Sequence, residues 1–151
     1  MAFIPSNKSD LQTAINAWIA DETSTTATYG DINTWNTSLI TDMSDLFRNK
    51  TSFNGNIINW DVSNVTDMHR MFSGAHSFDQ AIDNWDTSKV TNMYYMFRDA
   101  RTFNQDINNW NVSNVTTMWA MFGGAYNFNQ SLNSWDVSNV INMGYLFYNA
   151  L

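Results

Sequence analysis

Tryptophan returns every 25 residues along this chain, at Trp35, Trp60, Trp85, Trp110 and Trp135. Met43, Met68, Met93, Met118 and Met143 keep the same period, as do Phe47, Phe72, Phe97, Phe122 and Phe147. Phe53, Phe78, Phe103 and Phe128 form a further column, and Ile32, Ile57, Ile82, Ile107 and Leu132 another. No insertion interrupts the spacing, so every unit must have nearly the same backbone. One such unit cannot bury its own apolar face, whereas stacked copies share a continuous core.

Within a unit, Met68, Met71, Phe72 and Ala75 lie at i, i+3, i+4 and i+7. That spacing predicts an amphipathic helix over Thr66 to Ala75, with Thr66 as N-cap and Asp67 at its positive end. The remainder of the unit is rich in Asn, Asp and Ser. It predicts a short strand near Ile107 to Trp110 and a turn through Ser113 and Asn114. The expected fold class is an α/β repeat solenoid of about five helix-plus-short-strand units. Asn54, Asp79, Asn104 and Asn129 form a polar column, as do Gln80, Gln105 and Gln130. Their amides can bond turn backbone and the adjacent copy. The Ser38, Ser63, Ser88, Ser113 and Ser138 column suits the same role.

The ends differ from the middle. Residues 1–30 read as a capping segment: a helix from Ser9, as N-cap, to Ala20, then a polar loop over Asp21 to Thr28. Leu11, Ile15, Trp18 and Ile19 share one face of that helix. Residues 31–151 form the five-unit array, the last unit incomplete. Phe147, Ala150 and Leu151 are then expected at an open end available for assembly.

Composition narrows function by exclusion. The chain of 151 residues has 7 Lys plus Arg against 14 Asp plus Glu, a net charge of -7. Phosphate binding depends on Lys and Arg, so nucleic acid is a poor partner. There is no cysteine, which removes disulfide scaffolds, thiolate metal sites and cysteine nucleophiles. Nothing approaches the roughly 18 apolar residues of a spanning helix, so membrane insertion is not expected. The first 30 residues hold no apolar run with a basic flank, so no export signal is expected in them.

The unit resembles the BspA-type bacterial surface-protein repeat, first catalogued in mycoplasma lipoproteins. The signature reads Trp110-Asn111-Val112-Ser113-Asn114-Val115-Thr116, then Met118, Met121-Phe122, Ala125 and Phe128-Asn129-Gln130. The resemblance spans about residues 31 to 151. It implies a leucine-rich-repeat-like solenoid displayed at a cell surface for adhesion or protein binding, and no enzyme. The missing export signal and lipidation cysteine depart from that pattern. They leave an excised domain, a cytoplasmic protein or a virion decoration subunit as options.

No constellation of residues suggests catalysis, a metal or a cofactor. His69 and His76 fall in a single unit and read as surface variation. Asp61, Asp86 and Asp136 alternate with Asn36 and Asn111 in one column, which suits turn capping; a calcium ladder is the alternative. A sugar-stacking Trp column is another. Function is expected where the columns break. The variable helix positions give Arg70, Tyr94, Tyr95, Trp119 and Tyr145, joined by Tyr126 and Tyr148, as an aromatic strip. Tyr and Trp at solvent-facing positions favour interfaces; packing between adjacent units is the bland alternative. The expected partner is another protein or a second copy, with carbohydrate also open.

Overall fold

The computed structural model describes residues 3–150. Leu151, part of the expected assembly end, lies outside the described residues. Two α-helices come first, α1 (Lys8–Ala20) and α2 (Glu22–Tyr29), followed by a 3-10 turn at Ile32–Thr34. Five 25-residue coils follow, stacked so that each bonds the next. The expected α/β solenoid of helix-plus-strand units is not what forms. Among the described residues no helix or extended strand occurs in the coils. Their only strand-like pairing is a row of single parallel bridges through Asp42, Asp67, Asn92, Thr117 and Asn142.

The predicted helix over Thr66 to Ala75 is instead a run of overlapping turns. The Met71 N–H donates to Met68 O at 3.2 Å, Ser73 to Arg70 at 3.1 Å and Ala75 to Phe72 at 3.0 Å. The intervening N–H groups point along the stack. Met68 donates to Asn92, Arg70 to Tyr94, Phe72 to Met96 and Gly74 to Arg98, between 2.7 and 3.0 Å. An α-helix needs every N–H for its own i−4 carbonyl. Here alternate N–H groups are used between coils. Two residues per coil, four apart, are left-handed: Arg70 at φ 53° and Gly74 at φ 72° in this one. Each left-handed residue closes a tight turn. Met68, Met71, Phe72 and Ala75 are nevertheless all fully buried. The turn run returns side chains to the core at the spacing a helix would give, so the periodicity found the core and misnamed the element.

Thr66 caps no helix; its N–H donates to Thr41 O of the preceding coil at 2.8 Å. The expected strand at Ile107 to Trp110 is a turn, closed by Trp110 N–H on Ile107 O at 3.1 Å.

The apolar columns run through the stack as ladders. Phe47, Phe72, Phe97, Phe122 and Phe147 stack in sequence, with ring centroids 5.3–5.8 Å apart. Within each of the first four coils that ring also lies 4.1 Å from the second phenylalanine, as in Phe72–Phe78. Trp35, Trp60, Trp85 and Trp110 are buried and Trp135 is half-buried, and from Trp60 onward each indole N–H donates to a carbonyl of the coil before. Trp60 reaches Ile32 O at 2.8 Å and Trp110 reaches Ile82 O at 2.9 Å. The first four rings of this column therefore have no face free to stack on a sugar.

Polar columns link the coils as well. Asp79 and Asn104 N–H donate to Oδ1 of Asn54 and Asp79, each at 2.9 Å. The Gln105 amide reaches Asp79 Oδ1 at 2.8 Å. In the next column Asp61, Asp86 and Asp136 each accept the N–H two residues on, at 3.0 Å. These carboxylates cap turns.

α1 closes the first coil. Asn7, not Ser9, is its N-cap, accepting the Asp10 N–H. Leu11, Ala14 and Ile15 are buried on the coil, and Trp18 meets Phe53 edge-on at 5.8 Å. The Gln12 amide donates to Leu46 O at 2.9 Å. In later coils the equivalent carbonyl takes a backbone N–H, as Met71 O does from Phe47. One helical side chain thus stands in for a coil. Lys8 adds contacts to Asp42, at 3.0 Å, and to the Ser44 hydroxyl. The polar segment expected as a loop is α2. Asp21 caps its start through the Ser24 N–H, and Gly30, at φ 78°, ends it. Caps at both ends offset its weak Thr-rich propensity.

Candidate functional site

Three outward positions of each coil decide the surface of the turn run. In the first column stand Asp45, Arg70, Tyr95, Ala120 and Tyr145; in the second, Arg48, Ser73, Arg98, Gly123 and Tyr148. The third holds Asn49, Gly74, Asp99, Gly124 and Asn149. Only the fourth coil is small at all three. Its Ala120, Gly123 and Gly124 make the floor of a slot. Tyr95, Arg98 and Asp99 of the third coil form one wall, and Tyr145, Tyr148 and Asn149 of the fifth form the other. Trp119 and Tyr126 complete the lining of a cavity of about 290 Å³.

The aromatic side chains are held in place by specific contacts. The Trp119 ring lies directly on Gly144, where a Cβ would collide with the indole. The same ring meets Tyr145 at 5.0 Å and 60°. Tyr145 in turn meets Tyr148 edge-on at 5.5 Å. Arg98 places its guanidinium carbon 4.7 Å from the Tyr95 ring centroid, a cation–π contact. Its Nε is 3.5 Å from the Asp99 carboxylate. Gly124 is left-handed, and a Cβ there would strike Asp99 Oδ1. The neighbouring Tyr94 and Tyr95 phenols shift each other in opposite directions, Tyr94 raised and Tyr95 lowered from the ordinary phenol value, with Trp119 adding to the lowering.

Five of the seven strip residues, Tyr95, Trp119, Tyr126, Tyr145 and Tyr148, are brought together in this slot. Arg70 and Tyr94 are not among its lining. Arg70 Nε sits 3.1 Å from Asp45 Oδ1, beside His69, whose Nδ1 is 2.9 Å from Asp67. Tyr94 packs on Tyr95 at 4.1 Å. The sequence strip does not single out Asp99, Gly123 or Asn149. The signal for them was the run of small residues in one coil against large neighbours, read down the columns.

At the far end the fifth coil exposes Ile141 (88%), Met143, Phe147 and Tyr148, with Ala150 half-buried. Its Met143, Tyr145, Phe147 and Asn149 N–H groups occupy the positions that donate to the following coil elsewhere. They have no backbone acceptor among the described residues.

Neither a curated protein nor a solved structure shows significant similarity to the chain. A family described as Mycoplasma protein of unknown function, DUF285, matches residues 13–118 and again 81–151, overlapping as a repeat does. On that coverage the chain belongs to the DUF285 family of repeat proteins.

Proposed function

We propose that this protein is a non-catalytic recognition module that holds its partner in the slot across the third to fifth coils. One observation carries the reading: Tyr145 and Tyr148 stand 60% and 59% exposed beside a floor stripped of side chains. Exposed tyrosine and tryptophan around a concave floor are the anchor chemistry of binding surfaces. The resemblance of the repeat to BspA-type surface proteins supports adhesion as the setting. Gly123 allows a clean test. It is not left-handed, and a Cβ there meets only ordinary contacts at 3.4 Å or more. Gly123→Leu should fill the slot and leave the fold intact. Labelled protein should adhere to cell surfaces or matrix-coated plates, and Gly123→Leu should lose roughly tenfold of that binding. Equal binding by both would overturn the reading.

The fifth coil supports a second reading, self-association. Its exposed apolar residues favour contact, and in its turn run the Met143, Tyr145, Phe147 and Asn149 N–H groups and the Ile141 carbonyl have no backbone partner among the described residues. In a two-fold face-to-face pair those four donors would meet no matching row of acceptors, so side chains would carry most of the contact. Light scattering should then show a dimer that Ile141→Asp with Phe147→Asp converts to monomer.

A further inference from the structure

The slot's dimensions and charge say what class of ligand it fits. Neighbouring coils step by about 4.8 Å along a parallel backbone pairing. The third and fifth coils are therefore about 10 Å apart across the emptied fourth. A flat ring contacting a wall on each side needs about 7 Å, two van der Waals separations. The slot has room for one ring between its walls, and about 290 Å³ in all. That lies at the small end of ligand pockets.

Charge then removes two options. Arg98 sits in the wall, over Tyr95, and would repel a cation. Asp99 lies beside it, and the chain's net charge of -7 disfavours an anion. Arg98 and Asp99 largely neutralise each other, which leaves an uncharged ligand.

Polarity narrows it further. The lining offers aromatic surface from Trp119, Tyr145 and Tyr148. It also offers guanidinium donors from Arg98, carboxylate acceptors from Asp99, and both kinds of group from the Asn149 amide and the phenols. An apolar peptide ring would leave these polar groups without partners. A pyranose uses both sets: C–H faces pack on aromatic rings, and edge hydroxyls both donate and accept.

We propose that the slot binds a neutral saccharide, one ring lying between the walls with its hydroxyls directed to Asp99, Arg98 and Asn149. The proposal rests on the slot being the recognition site. The test is calorimetric titration of the full chain with neutral oligosaccharides built on glucose, galactose, mannose or N-acetylglucosamine. Sialylated and sulfated oligosaccharides and a proline-rich peptide run in parallel. At least one neutral oligosaccharide should bind, at roughly millimolar Kd or tighter. Gly123→Leu and Asp99→Asn should each weaken it by roughly tenfold or more, with unchanged circular dichroism. Stronger binding of the acidic sugars would overturn the proposal, as would saccharide binding that Gly123→Leu leaves intact. If no sugar binds but Gly123→Leu still abolishes surface adhesion or peptide binding, the saccharide class fails while the recognition reading stands. If Gly123→Leu changes nothing in any assay, both fail.

Discussion

Trp110 shows how a single residue joins two coils. Its ring is buried, and its indole N–H takes the Ile82 carbonyl, 28 residues earlier in sequence, at 2.9 Å. A phenylalanine there would fill most of the space but leave that carbonyl unpaired. Trp110→Phe should cost about 2–4 kcal/mol, combining the lost volume with the orphaned acceptor. Urea denaturation measures it; a loss below about 0.5 kcal/mol would show that water replaces the bond. Leu46 O makes the same point at the capped end, where Gln12 supplies the missing donor. The tryptophan column was legible as core from its period. That the indoles from Trp60 onward also tie two coils together was not, because the acceptor is a backbone atom with no mark in the sequence.

The turn run is the element that sequence periodicity misassigns. Its left-handed positions accept Arg70, Tyr95, Ala120 and Tyr145 as well as glycine. A non-glycine residue there costs roughly 1–2 kcal/mol, which the bonds between coils offset. Ala120 and Gly124 share this conformation four residues apart, at φ 47° and 70°. Opposite substitutions should therefore move stability in opposite directions. Ala120→Gly should gain about 0.5 kcal/mol once the extra freedom of the unfolded chain is subtracted. Gly124→Ala should lose at least about 1 kcal/mol, since it also meets the Asp99 carboxylate. Thermal melts of the pair check both signs. The capped turns of the next segment respond to pH instead. The Ser88 hydroxyl and N–H lower Asp86, and those of Ser138 lower Asp136. At Asp42 burial pushes upward, but Ser44 and Lys8 outweigh it and the group is lowered. A carboxyl lowered in the folded state adds stability above its unfolded value, lost as pH falls through the folded one. The melting temperature should hold from pH 8 to about 5 and drop below about 4. A melt at pH 3 as high as at pH 7 would contradict these shifts.

Across the whole molecule, stability is a sum over neighbours, so the two ends should behave differently. The first coil is covered by α1, with Leu11 and Ile15 fully buried. The fifth leaves Ile141 and Phe147 exposed. Hydrogen exchange should be fastest at the Met143, Tyr145 and Phe147 amides and slowest at Met93, Tyr95 and Phe97, which donate to the fourth coil. Uniform protection across the five coils would mean that the stack opens only as a unit. The slot belongs to this scale too. It needs three consecutive coils, with Tyr95, Gly123 and Tyr148 drawn from one each.

Sequence by itself determined the repeat length, the number of coils, the residues that face the core and most of the aromatic strip. Each depends on periodicity, and a side chain's inward or outward direction survives any backbone that repeats. The tertiary structure decided the backbone itself. Whether the Met68 N–H bonds within its coil or to Asn92 is settled only when the neighbouring coil is present. Once alternate N–H groups are committed between coils an α-helix cannot form, and because the groups between them close turns within the coil an extended strand cannot either. The slot was decided in the same way. Ala120, Gly123 and Gly124 form a floor only because stacking places the large residues of the third and fifth coils on either side.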